Sequence, residues 1–186
     1  MIEGLVRKRK YLILGFLLMA LGVFIWMPKE RRMTVFLTGY SYWDNTPPQS
    51  AIIGRPVLHE TAGGIGTYED PVTLAVGWRI YFNQHFEDIA PGTRFYIPRL
   101  RKYALVEDLC GDGAKPQNGP CHTGWEGYTW LDIYVDGSTQ DTRTSDLCME
   151  RITGIQVVII NPRKEYRVAP GPIVEAGCKV FEAQHI

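Results

Sequence analysis

Hydrophobic residues fall along this chain in two rhythms. Residues 11–27 form one uncharged apolar run rich in Leu, Ile, Phe and Met. As a helix it would cover about 26 Å, just short of the ~30 Å hydrocarbon core of a bilayer. Beyond it the apolar positions come in short bursts at 33–40 (MTVFLTGY), 72–76, 94–97, 103–106, 131–135 and 156–160. Each burst is β-branched or aromatic and is bounded by Gly, Pro, Asn or Asp, which predicts six short strands. Only 145–152 reads as a helix, with Thr144 or Ser145 to cap its start and Gly154 to close it. The pattern therefore predicts a mainly β domain over residues 33–186, a six-stranded barrel with one short helix. It is preceded over residues 1–32 by a basic region and a transmembrane or signal helix.

The flanks of the apolar run carry the charge. Arg7, Lys8, Arg9 and Lys10 precede it, and Lys29, Arg31 and Arg32 follow. A positive region before an apolar stretch is the pattern of an export signal. Cleavage after Ala20 or Gly22 would leave Val23, Phe24, Ile25 and Trp26 as a greasy new terminus, so the segment reads as an uncleaved anchor. The expected location is the membrane, with the domain in the periplasm or outside the cell; secretion after signal cleavage is the alternative. The formal net charge of zero hides this division, since residues 1–32 hold seven Lys or Arg against two Glu, and the remainder thirteen against eighteen acidic residues. An acidic domain lacks the basic face that phosphate binding needs, which argues against nucleic acid as a partner.

All four cysteines, Cys110, Cys121, Cys148 and Cys178, lie in the domain. An even number in an exported chain points to two disulfides, with three pairings open. Cys110 with Cys121 would staple a loop rich in Gly and Pro, and Cys148 with Cys178 would tie down the C-terminal segment. There is no CxxC, and His59, His85, His122 and His185 are scattered without ligand spacing, so neither a metal nor a cofactor is expected. Residues 62–66 (AGGIG) lack the Lys-Ser/Thr pair and the following helix of a phosphate loop, and read as a turn.

From Pro91 to Asp132 the order of residues becomes recognisable: PGTRFYIP, then YALVED, a Gly-containing loop, and WLDIYV. It resembles double-psi β-barrel domains, above all the 3D domain shared with the barrel of membrane-bound lytic transglycosylase A, and more distantly rare lipoprotein A and expansins. Thr38, Gly39 and Tyr40 match the opening strand of that pattern. Pro91, Gly92, Thr93, Tyr96 and Ile97 match its middle, and Glu107, Asp108, Asp132, Ile133 and Tyr134 its last part. The usual glycine-rich loop of those families is replaced by the longer insert 109–129, which holds two of the cysteines. Asp70 falls where they have a short Gly/Asp/Thr segment. Tyr42, Trp43 and Asp44 are similar to the Y-W-D opening of family 45 endoglucanases, whose aspartate is a general base, and Leu131, Asp132 and Ile133 resemble part of that family's acid motif.

The resemblance implies glycan chemistry centred on Asp132. A carboxyl that donates a proton near neutral pH needs burial or a neighbouring carboxylate to raise its pKa. Asp132 sits within an apolar, aromatic run, with Asp108 as a second charge and Asp44 as the partner that a hydrolase would need. Tyr40, Tyr42, Trp43, Trp125 and Trp130 lie near the motif ends as candidate platforms for pyranose rings. For the three aspartates the alternative role is structural: backbone acceptors at Asp108 and Asp132, a turn residue at Asp44. The leading expectation is an exported protein active on cell-envelope polysaccharide, peptidoglycan-like if the source is bacterial, acting as a lytic transglycosylase or a glycoside hydrolase. A non-catalytic, expansin-like wall binder and a disulfide-stapled protein-binding or inhibitor barrel are the alternatives.

Overall fold

The computed structural model describes residues 29–111 and 113–182. The strands follow the chain as β1 (Arg31–Tyr40), β2 (Val72–Val76), β3 (Trp78–Tyr81), β4 (Gln84–Glu87), β5 (Arg94–Ile97) and β6 (Lys102–Leu109). After a short 3-10 turn come α1 (Pro120–Thr123), β7 (Thr129–Tyr134), α2 (Thr142–Ile152) and β8 (Gly154–Ile160). Six strands close a barrel in the order β1-β7-β2-β6-β5-β8, while β3 and β4 form a separate hairpin. Within the barrel β1 runs parallel to β7 and β2 parallel to β6; the other pairs are antiparallel.

Alternation decides which side chains fill the barrel. Val35 and Leu37 of β1, Leu131 and Ile133 of β7, and Leu74 of β2 are fully buried, and Phe95, Ile97, Ala104, Val106 and Val158 complete the same core. The intervening residues of β1 and β7, among them Phe36, Thr38, Trp130 and Asp132, lie on the opposite face. The helix α2 packs on β1 where Gly39 leaves room: a Cβ there would come within 2.8 Å of Ile152 Cδ1.

Two disulfides, Cys110–Cys121 and Cys148–Cys178, close loops of sequence separation 11 and 30. The second fastens α2 to the C-terminal segment. Loop-closure entropy assigns each about 3 kcal/mol. Replacing Cys148 and Cys178 together by Ser is therefore expected to lower the urea unfolding free energy by about that amount.

The structure departs from the sequence expectations in four places. The helix α2 starts at Thr142, because the carboxylate of Asp141 caps it by accepting the Thr144 N–H at 2.7 Å; Gly154 begins β8 instead of closing the helix. A second, four-residue helix, α1, follows the 3-10 turn. The hairpin β3–β4 was not expected, because its turn uses Phe82 and Asn83 at positive φ in place of an Asn-Gly or Gly pair. The domain also begins before residue 33. Arg31 and Arg32 already pair with β8, and Glu30 accepts the Arg163 N–H at 2.8 Å and the Tyr166 hydroxyl at 2.7 Å. The expected membrane or signal helix over residues 11–27 lies outside the described residues, and among those described no helix is long and apolar enough to cross a membrane.

Candidate active site

The register across four strands builds the site. Thr38 on β1 pairs with Asp132 on β7, Asp132 with Ala75 on β2, and Ala75 with Asp108 on β6. Strict alternation would not bring Asp108 into this row, since Val106 two positions earlier faces the barrel core. A bulge solves the parity: Leu74 pairs with Val106 but Ala75 with Asp108, so Glu107 is the extra residue and Asp108 turns to the side of Asp132. Two strand spacings separate the backbones of the two aspartates, about 10 Å. Ala75 between them is small enough to leave the space open.

That space is a cavity of about 350 Å³ lined by Tyr40, Asp44, Ala75, Trp78, Asp108 and Asp132 among others. All three candidate carboxylates thus face one cavity. Asp132 Oδ1 accepts the Thr38 hydroxyl at 2.6 Å, and its Oδ2 lies 3.8 Å from the sulfur of Cys110. Burial raises the Asp132 carboxyl to about 7; the Thr38 hydrogen bond opposes the rise, and the charges of Asp44 and Asp108 add to it. Asp108 is held as an acceptor. Its Oδ2 takes the Tyr40 hydroxyl at 2.7 Å, and its Oδ1 takes the N–H groups of Gly54 and Leu109, each at 2.8 Å. Asp44 is exposed and uses Oδ1 to accept the N–H and hydroxyl of Ser41, both at 2.7 Å, so it fixes the turn after β1 while lining the cavity.

The expected sugar platforms separate into different roles. Tyr40 is buried, and burial together with Asp108 holds its hydroxyl well above the usual phenol range. Tyr42 and Trp43 meet edge to face at 5.6 Å, and Trp43 Nε1 donates to the Gly137 carbonyl. Trp125 is exposed and stacks on Phe36 at 5.4 Å. Trp130 lines a second cavity instead of the first.

Three contributors escaped the sequence reading. Trp78 lines the main cavity and donates Nε1–H to the Gly111 carbonyl at 2.9 Å; its signal is an aromatic two residues past the 72–76 strand. Thr38, noted only as part of a motif, stands between Trp130 and Asp132. Trp130 Nε1–H donates to Thr38 Oγ1 at 2.7 Å, occupying one of the hydroxyl's two lone pairs, while the hydroxyl proton goes to its nearest acceptor, Asp132 Oδ1. Thr38→Val is therefore expected to raise the titration midpoint of Asp132 above about 7, which carboxyl NMR would read directly.

The third contributor is a chain behind the cavity. The fully buried Glu107 accepts the N–H groups of Val57, Leu58 and His59 on Oε1, and its Oε2 lies 2.6 Å from His59 Nδ1. His59 Nε2 reaches Asp70 Oδ1 at 2.9 Å. Burial alone would lower the His59 pKa, but the hydrogen bonds to Glu107 and Asp70 together raise it. The loop held this way includes Gly54, whose N–H orients Asp108.

Comparison with known proteins gives a family without an assigned activity. An uncharacterized protein of Dictyostelium discoideum is 30% identical over 161 residues, which cover 84% of this chain and 63% of that relative. The match thus spans just under two thirds of the relative's length. No solved structure matches the chain. The profile of the DDB_G0273701 N-terminal domain matches residues 32–179, from the second residue of β1 past the last cysteine. The chain belongs to that family.

Proposed function

We propose that this domain is a double-psi β-barrel that cleaves a cell-wall or cell-envelope glycan, with Asp132 as its acid and base. The observation that carries this reading is a carboxyl raised to about 7 on an open cavity, flanked by two further carboxylates. The two parallel pairs, β1 with β7 and β2 with β6, support the double-psi assignment, as do the motif residues Thr38, Tyr40, Asp108 and Asp132 meeting at one site.

The hydrogen-bond pattern favours one working carboxyl over two. Asp108 has both oxygens engaged as acceptors and is held in place by them. Asp132, near neutrality, exchanges its proton readily in either direction. It would protonate the leaving glycosidic oxygen as the C–O bond breaks. As the conjugate base it would then take the proton from a hydroxyl of the same sugar, which closes on the anomeric carbon. The proton lost in the first step is thus regained in the second, and no water is consumed. The two disulfides fit an oxidising compartment, and retention of residues 11–27 would tether the domain to the membrane with its site confined to nearby substrate.

The test is incubation of the full chain with insoluble wall polysaccharides, peptidoglycan sacculi and cellulose among them, followed by analysis of the soluble products. Release of fragments with anhydro-sugar ends supports this mechanism. Fragments with new reducing ends would move the second role to Asp44 activating water, whose Oδ2 remains open among the described residues. Binding without any release would leave an expansin-like wall binder, and neither binding nor release a protein-binding barrel.

A further inference from the structure

A second cavity of about 390 Å³ lies where β1 and β7 begin and β8 ends. Its floor is apolar, from Met33, Ile89 and Ile160, and Tyr128 and Trp130 add aromatic wall. Polar groups converge on it. His122 Nδ1 lies 2.7 and 2.9 Å from the two oxygens of Asp88, while its Nε2 has no partner among the described residues. Arg31, also on the wall, makes no ion pair or side-chain hydrogen bond among the described residues.

The pair is held from both sides. Asp88 follows β4 and donates its N–H to the Gly77 carbonyl, whereas His122 sits in α1, anchored through Cys121 to Cys110. Gly77 is the point of contact, since a Cβ there would come within 2.4 Å of Asp88 Oδ2 and 2.2 Å of the Cys121 carbonyl oxygen. The histidine is therefore fixed in position by its carboxylate partner, with one ring nitrogen left for a ligand.

We propose that this cavity is a binding site for a small ring-bearing carboxylate. Among the described residues Arg31 has no carboxylate within ion-pair distance, the one acid of the cavity wall, Asp88, being taken by His122, and a guanidinium matches a carboxylate in shape as well as sign. His122 Nε2 is the second polar contact: with Nδ1–H given to Asp88 it accepts, so it serves a hydroxyl where the ligand's ring carries one, as a sugar acid does. The apolar floor and the rings of Tyr128 and Trp130 take the body of the ligand, and the volume falls in the range of small-molecule sites. An aromatic acid and a sugar acid share this chemistry. The site does not depend on glycan cleavage at Asp132.

The experiment is titration calorimetry of the full chain with benzoate and with glucuronate, each against its neutral counterpart, benzamide or glucose. At least one acid is expected to bind tenfold or more tightly than its counterpart, and which one does so names the ligand class. Arg31→Gln, an exposed position at the start of β1, should reduce acid binding at least tenfold, and Arg31→Lys should retain most of it. His122→Gln should weaken binding to a lesser degree, and Asp132→Asn should leave it unchanged. Acids binding no better than their neutral counterparts, or an Arg31→Gln protein that melts normally and binds as wild type, would overturn the proposal. Neither result would bear on fragment release at the first cavity.

Discussion

Asp132→Asn is expected to reduce fragment release from wall polysaccharide by roughly a hundredfold to ten-thousandfold, the usual worth of a positioned acid or base. Asn keeps the shape of Asp and can still accept the Thr38 hydroxyl, so the loss would come from the missing proton and not from a collapsed site. The same variant carries a second signature in stability. The folded carboxyl lies near 7 and its unfolded counterpart near 3.8, so the folded state binds the extra proton across that interval. Its contribution is fully present below the unfolded value and is lost as pH rises through about 7. Wild type should therefore lose on the order of 2–4 kcal/mol of unfolding free energy between pH 4 and pH 9 that the Asn variant keeps. Urea titrations at the two pH values measure this directly. An Asn variant whose stability falls with pH just as wild type does would show that burial does not raise the Asp132 carboxyl.

Glu107→Ala should be the most damaging substitution to the fold itself. It would remove the fully buried carboxylate on which three backbone N–H groups and the His59 imidazole converge. Each donor left without its acceptor costs about 1–3 kcal/mol where water cannot replace it, so with four donors affected a loss of about 3–5 kcal/mol is expected. In a domain of this size that lowers the thermal midpoint by about 10 °C or more. Glu107→Gln retains a carbonyl acceptor and should cost less than half as much. The loss would also reach the site, because loop residues 54–59 would no longer hold the Gly54 N–H on Asp108. His59 adds its own pH dependence. Its pKa is raised in the fold, so its stabilisation is present below about 6.5 and fades as pH rises through the folded value. Both His59 and Asp132 therefore weaken the domain on the alkaline side.

What could be read from the sequence follows from what is local. The six barrel strands were legible because each alternates or forms a short apolar run between turn residues, and two of them, 72–76 and 94–97, match to the residue. Asp132 was legible as one charge inside WLDIYV, where alternation turns it away from Leu131 and Ile133. Asp108 was legible only through resemblance, since its orientation depends on a bulge at Glu107 that no local propensity dictates. The chain from Trp130 through Thr38 to Asp132 joins residues more than ninety positions apart, and only the β1–β7 register brings them together. The sequence offers Thr144 or Ser145 as the cap of α2, whereas the hydrogen bond from the Thr144 N–H to the Asp141 carboxylate sets the start three residues earlier, at Thr142. Disulfide pairing likewise waited for spatial proximity, because all three pairings suited the spacing.

The most direct measurement is the titration of the Asp132 carboxyl by carbon-detected NMR on the full chain, assigned by its absence in Asp132→Asn. A midpoint near 7 that falls when Asp44 is replaced by Asn is the predicted result, since it would show a carboxyl kept protonated by burial and by its neighbours. A midpoint near 4, unmoved by that replacement, would contradict the account, because no proton would remain on Asp132 at neutral pH to donate.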